Sequence, residues 1–377
     1  MRKSITPNQI KQNNKNLIYL YILNHPGVSQ QDIAYDLRLS RPTVTTNLNE
    51  LESVGMITKS GQLDTELVGR KANAYSAVPD YRVSIGVDIH SKELKLITVN
   101  LLGEYSERVV HSINYKNTDS YRKKVCEIVN GYIAGQGLKS EQILGIGIAM
   151  PGLVSPDGSE ITYGKILDCT GLSIDGFSKY LNYPCRFFHD SESAAVSELW
   201  VSPELKDAMY IQIGIHLGAA MIMNRKIMSG MHGHNATIEH IFMGNNNKRC
   251  YCGRIGCAET LCALPSLCGE EPVHEFFGRL RSGDKNASKQ FDNYLKDLAK
   301  IINSISLMYD KDFIIGGFIA PYLQESDMDK LHKYVQELNP FDDEGRFIFI
   351  SRMPKHNITI GAALPYITEF LNRDEIE

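Results

Sequence analysis

A chain of 377 residues exceeds one ordinary domain, so two or three compact units with cores of their own are expected. Its 43% hydrophobic and 22% charged residues are those of a soluble globular protein. No run reaches the eighteen or more apolar residues of a membrane span, and no apolar signal core follows the basic start Met1-Arg2-Lys3, so a cytoplasmic location is expected. The net charge of −4 divides as +3 over residues 1–82 and −7 over the rest, which suits a phosphate-meeting head on an acidic body.

Leu17, Ile18, Leu20, Tyr21 and Ile22 fit a first helix over Asn14 to Asn24, ended by His25-Pro26-Gly27. Ser29, with Asp32 three residues on, caps a second helix that buries Ile33, Ala34 and Leu37. After the turn at Arg38-Leu39, Ser40 caps a third helix that tolerates Pro42 in its first turn and runs to about Ser53. Val44, Leu48 and Leu51 then face the core. Ser40, Arg41, Thr43, Thr46, Asn47 and Glu50 are expected on or beside the open face, as side chains able to meet base edges and phosphates in a major groove. Strands starting at Met56 and spanning Ala74 to Val78 form a wing, whose Arg70 and Lys71 would reach backbone phosphate or the minor groove. Asn14 to Tyr75 therefore reads as a winged helix-turn-helix that binds operator DNA. The alternative, a protein–protein module, lacks a use for the tight turn and basic wing.

Beyond Pro79 the pattern turns to strands alternating with helices: Ser84 to Ile89, Leu94 to Asn100, a helix near Ser120 to Tyr132, Ile143 to Ala149, Pro184 to His189 and a helix from Ala194 to Trp200. A similar order restarts at Ala208 to Gly214 and continues through Ala219 to Met223, a helix from Tyr294 to Tyr309, and Phe313 to Phe318. The expected architecture is α/β, with two lobes of related design and a ligand cleft between them at the strand C-terminal ends. The expected divisions are 1–80 for the head, 81–200 with 361–377 for one lobe, and 201–360 for the other.

Three of the eight cysteines crowd into Cys250, Cys252 and Cys257, ten residues after His240 and with Gly253 and Gly256 between them. One imidazole and three thiolates complete a tetrahedron around Zn2+ and leave no position for a catalytic water, so this is a closed, structural site. Cys126, Cys169, Cys185, Cys262 and Cys268 read as ordinary buried thiols.

The segment Cys250 to Glu259 resembles the CxCGxxGCxE signature of the ROK family, which contains sugar kinases and sugar-responsive repressors. Ile146 to Gly152, Asp190, Gly316-Gly317 and Gly361-Ala362-Ala363 extend the resemblance over residues 83–377. It implies an actin-like, two-lobed ATPase fold and, for members with an added winged helix, a repressor of the xylose or N-acetylglucosamine type acting as a homodimer. Family kinases carry a DxGGT loop and a GTGxGGG-like loop. Here Asp88-Ile89-His90-Ser91-Lys92 has lost both glycines, and Gly214 to Ala220 has lost one at His216, so side chains stand in the phosphate path. Asp190 matches the family's general base. An active sugar kinase with a DNA-binding head is the alternative function, and a ligand-independent DNA-binding factor is a third.

For the effector pocket the resemblance implies Asp168 near a family Asn, Asp190, the segment Thr237-Ile238-Glu239-His240 at the ExGH position, and Glu259. Thr237 has lost a carboxylate and Asp168 has gained one, so a sugar other than a standard hexose is expected. His232, His234 and His216 read as solvated loop residues, and the lone Trp200 as core.

Overall fold

The computed structural model describes residues 7–63, 72–244, 246–341, 345–353 and 355–373. The head comprises α1 (Pro7–Asn24), β1 (Val28–Ser29), α2 (Gln30–Asp36), α3 (Arg41–Ser53), β2 (Ile57–Leu63) and β3 (Ala72–Ala77). The first helix begins seven residues before the expected Asn14, where polar side chains hide it from an apolar-periodicity reading. Ser29 makes the full capping box with Asp32, and Ser40 accepts from the Thr43 amide, so both caps satisfy otherwise orphaned N–H groups. Both β1 and β2 pair antiparallel with β3, which sits between them as the wing's base.

The first lobe is built on β4 (Val83–Ile89), β5 (Glu93–Asn100), β6 (Val109–Ser112), α4 (Asp119–Gly135), β7 (Ile143–Met150), a small three-stranded sheet of β8 (Leu153–Val154), β9 (Glu160–Tyr163) and β10 (Leu172–Ser173), a short α5 (Asp175–Ser178), β11 (Cys185–His189) and α6 (Asp190–Val201). The second half of the chain supplies β12 (Ala208–Ile213), β13 (Leu217–Met223), β14 (Lys226–Ile227), α7 (Glu259–Cys262), α8 (Leu264–Cys268), α9 (Val273–Arg281), α10 (Lys285–Ser306), β15 (Asp312–Gly317), α11 (Glu325–Leu338) and β16 (Ile348–Ile350) to the second lobe, and ends in α12 (Asn357–Leu371). Their main sheets run β11-β7-β4-β5-β6 and β16-β15-β12-β13-β14, each with three parallel strands followed by two antiparallel ones. This is the duplication that the repeated strand pattern implied.

Helix α12 packs on β4, β5 and β7 and against α6, while α6 also packs on β12 and β13, so the last helix of each half crosses to the other. Glycines permit this closeness. A Cβ at Gly86 would lie 1.8 Å from the Thr359 carbonyl oxygen, and one at Gly147 1.8 Å from that of Ala362. The far end of α12 reaches the head. Ile367 and Phe370 share one buried cluster with Ile18, Tyr19, Ile22, Val44 and Leu48, and Asn16 Nδ2 donates to the Arg373 carbonyl at 3.0 Å. Head and body thus have one continuous core, with Trp200 packed at its edge as a core residue.

Candidate functional sites

On the recognition helix α3, Val44, Leu48 and Leu51 are buried as the spacing requires, and Arg41 and Thr46 are exposed. The Ser40 and Thr43 hydroxyls are bonded to each other at 2.8 Å. Asn47 departs from expectation. It is 2% exposed and its Nδ2 donates to the Thr43 carbonyl at 2.8 Å, because it stands three residues after Val44 and completes an i, i+3, i+4, i+7 inner stripe. Glu50 is held aside by Lys11 at 2.5 Å. Arg70 and Lys71 lie outside the described residues.

On the loop that precedes α7, His240 Nδ1 lies 3.8 Å from Cys250 Sγ, and Cys252 Sγ lies 3.7 Å from Cys257 Sγ. All four donor atoms fall within 4.8 Å of one another. Bonds of about 2.3 Å from sulfur to a tetrahedral ion require edges of roughly 3.7–3.8 Å, so the set is already at ligating separation. The other imidazole nitrogen, His240 Nε2, is buried without a hydrogen-bond partner, 3.9 Å from Glu239 Oε1. Burial acts to raise the Cys252 thiol, but hydrogen bonds from Arg254 and the neighbouring thiols outweigh it and lower its pKa, favouring the thiolate. Among the other cysteines, Cys126, Cys169, Cys262 and Cys268 are buried and Cys185 is half-buried, all as free thiols.

Between the lobes lies a cavity of about 40 Å3, walled by Tyr163, Lys165, His189 and Asp190 from one side and Gln212, His216, Glu239 and Tyr251 from the other. Asp190 is the first residue of α6. Its carboxylate accepts from the Ser191 amide at 2.7 Å and sits 3.2 Å from His189 Nε2. The remaining expected pocket residues are placed differently. Glu259 accepts from His216 Nδ1 at 2.6 Å and from the Leu217 amide at 2.7 Å, which keeps it behind His216 and out of the cavity wall. His240 likewise stands behind the wall, within the thiol cluster. Asp168 is exposed in a left-handed turn (φ 50°), outside the cavity, where its carbonyl accepts from Asn117. The intervening turn buries its neighbour Cys169 and brings Lys165 and Ile166 to the wall instead.

His216, expected to be solvated, is thus the residue that engages Glu259; His232 and His234 are exposed as expected. No spacing or motif marks Gln212 or Tyr251 as wall residues. Glu239 has one legible signal, a carboxylate standing where the family's ExGH has glycine. Burial, aided by the Glu259 and Asp190 carboxylates, pushes its pKa up to about 8.

The altered first phosphate loop is filled. His90 Nε2 lies 2.9 Å from the Asp88 carboxylate, and the buried Lys95 ammonium is 2.8 Å from Glu93, 3.8 Å from Asp88 and 5.6 Å from the centre of the Phe318 ring across the cleft. Burial would lower the His90 pKa, but the Asp88 carboxylate outweighs it and the net shift is upward. The Asp88 carboxylate therefore faces the His90 imidazole and the Lys95 ammonium.

The ROK family model matches residues 84–364. The chain belongs to the ROK family. A winged helix-turn-helix DNA-binding model matches residues 13–58 of this ROK chain. It is 24% identical to the xylose repressor of Caldicellulosiruptor bescii over 263 residues, which cover 68% of the chain and 65% of that repressor's length. Among solved structures, a ROK family transcriptional regulator homologous to the E. coli MLC protein has a TM-score of 0.75 at 19% identity, covering 96% of this chain and 97% of the other. A ROK family glucokinase from Streptomyces griseus has a TM-score of 0.66 at 18% identity, covering 75% and 98%. The regulator shares the whole architecture, head included, and the glucokinase shares the body. Among the described residues, no helix is long and apolar enough to cross a membrane.

Proposed function

We propose that this ROK protein is a sequence-specific, DNA-binding transcriptional repressor of carbohydrate genes, working in the cytoplasm as a homodimer and controlled by a sugar or sugar-derived effector in the interlobe cleft. The observation that carries this reading is the continuous core: Ile367 and Phe370 of α12 join the body to the helix that packs beneath α3. A head fixed to the body in this way transmits movement of one lobe against the other to DNA, and a dimer converts that movement into a change of half-site spacing.

The cavity of about 40 Å3 holds little more than a water molecule or two, far below the volume of an ordinary ligand site, so effector entry parts the lobes. That parting is the differential contact that couples ligand to DNA. Zn2+ is the ion suited to the donor set; His240, Cys250, Cys252 and Cys257 hold it and fix the loop carrying Tyr251. The His90–Asp88 pair and His216 argue against a working phosphate cradle, so Asp190 serves as a sugar contact and not as a general base.

The test is a gel-shift titration of the full chain on the DNA upstream of its own gene, with and without D-xylose, N-acetylglucosamine and their phosphates, alongside an ATP phosphoryl-transfer assay on the free sugars. The reading expects a specific complex weakened by one of these or a related sugar, with no phosphoryl transfer. Transfer that disappears in Asp190→Asn would establish the kinase instead.

A further inference from the structure

The head has thirteen residues in α3, and only part of its surface is available to a groove. At 100° per residue, Val44, Asn47, Leu48 and Leu51 (0%, 2%, 1% and 0% exposed) define the inner face, and the line opposite them runs through Pro42, Thr46, Asn49 and Ser53. On that line Pro42 has no amide hydrogen to give. The Thr46 hydroxyl donates back to the Pro42 carbonyl at 3.0 Å and the Ser53 hydroxyl to that of Glu50 at 2.7 Å. At the flank, Thr45 donates to the Arg41 carbonyl at 2.8 Å and accepts from Gln30 at 2.5 Å, and Ser40 and Thr43 are bonded to each other. Asn49 is exposed, and its carboxamide has no hydrogen bond within the described residues.

We propose that Asn49 is the base-reading residue of this head, placed to present its carboxamide to an adenine edge in the major groove. This rests on the DNA-binding reading above. The carboxamide offers one acceptor and one donor side by side, the complement of adenine N6 and N7. Its neighbours favour the role: Lys11 draws the Glu50 carboxylate aside, removing a charge that would repel phosphate, and exposed Arg41 at the helix start is left for the backbone. Asn47, two residues earlier and of the same type, has the opposite task of satisfying a carbonyl inside the head.

The experiment is selection of binding sites from random-sequence DNA by the full chain, compared for wild type, Asn49→Ala, Asn49→Ser and Asn47→Ala, with thermal melting of each. The wild type is expected to yield a motif in which Asn49→Ala and Asn49→Ser lose preference at one A·T pair per half-site. Affinity for the wild-type motif should fall about 5- to 150-fold, the range for loss of a bidentate base contact. Asn47→Ala should melt lower and keep every position of the motif. An unchanged motif in folded Asn49 variants, or a uniform loss of affinity with no position relaxed, overturns the assignment alone. A wild-type chain that selects no motif overturns the DNA-binding reading and the assignment together.

Discussion

Phe370→Ala tests whether head and body are one cooperative unit. The ring is 1% exposed and sits in the cluster shared by α1, α3 and the end of α12. Truncating a buried phenylalanine to alanine costs about 3–5 kcal/mol through lost transfer energy and the cavity left behind. The resulting shift in Tm depends on how much of the chain melts with it. Unfolding entropy near 60 °C is about 2.1 cal/mol/K per residue, so a transition involving the whole chain carries roughly 0.8 kcal/mol/K and moves by only about 4–6 °C. A head of some 70 residues melting alone carries roughly 0.15 kcal/mol/K and would move by about 20–30 °C. Scanning calorimetry at two heating rates distinguishes the two, with Trp200 fluorescence as a second probe. It is the chain's single tryptophan and packs at the edge of this junction, against the turn at Gly103. One transition, shifted by a few degrees and tracked by Trp200, is expected. A separate early transition that moves by tens of degrees while the main one stays would refute the continuous-core argument.

Three further perturbations address the body. If His240, Cys250, Cys252 and Cys257 hold Zn2+ as proposed, a chelator should lower Tm and release one zinc per chain by elemental analysis, and Cys252→Ser should lower Tm and the zinc content; an unchanged Tm after verified removal would reject a structural metal. His216→Ala removes a charge-assisted hydrogen bond from Glu259, which is 8% exposed, and should cost roughly 1–3 kcal/mol in denaturant unfolding, whereas an unaltered midpoint would mean the contact is idle. Burial acts to raise the Asp292 carboxyl between α10 and α11, but Lys296, Lys330 and Tyr334 outweigh it and hold the group well below the usual carboxylate range. Its contribution is present above the ordinary value of 3.8 and is lost as pH falls through the lower folded value, so Asp292→Asn should flatten that acid limb. Urea midpoints from pH 7 to pH 3 that stay parallel for the two proteins would contradict this.

Features whose physics is local are legible in the sequence. Ser29 and Ser40 announce helix starts because capping needs only a hydroxyl and the next three amides. The Cys250–Cys257 loop announces a cluster of metal-ligating side chains because its spacing closes on itself, and the longer strands of both sheets read as apolar runs, whereas the short strands β6, β14 and β16 carry no such signal. Asn47 lies at the margin of the same logic. A polar residue placed in an apolar stripe looks outward in sequence, and only its bond to the Thr43 carbonyl reveals that the inside accepts it.

The cleft shows where local reasoning stops. Sequence alone determined that a winged helix precedes a duplicated α/β body, that one histidine and three cysteines gather around a short loop, and that the phosphate loops have lost glycines. Which carboxylates face the cavity was decided by tertiary structure: His216, 43 residues from Glu259, turns that carboxylate inward, and Asp168 points to solvent while Glu239 takes a place in the wall. The junction of head and body was also beyond the sequence, since α1 and α12 stand at opposite ends of the chain and meet only because α12 crosses from the second half onto the first lobe. Such pairings depend on how two lobes close over each other, and no periodicity within either segment encodes them.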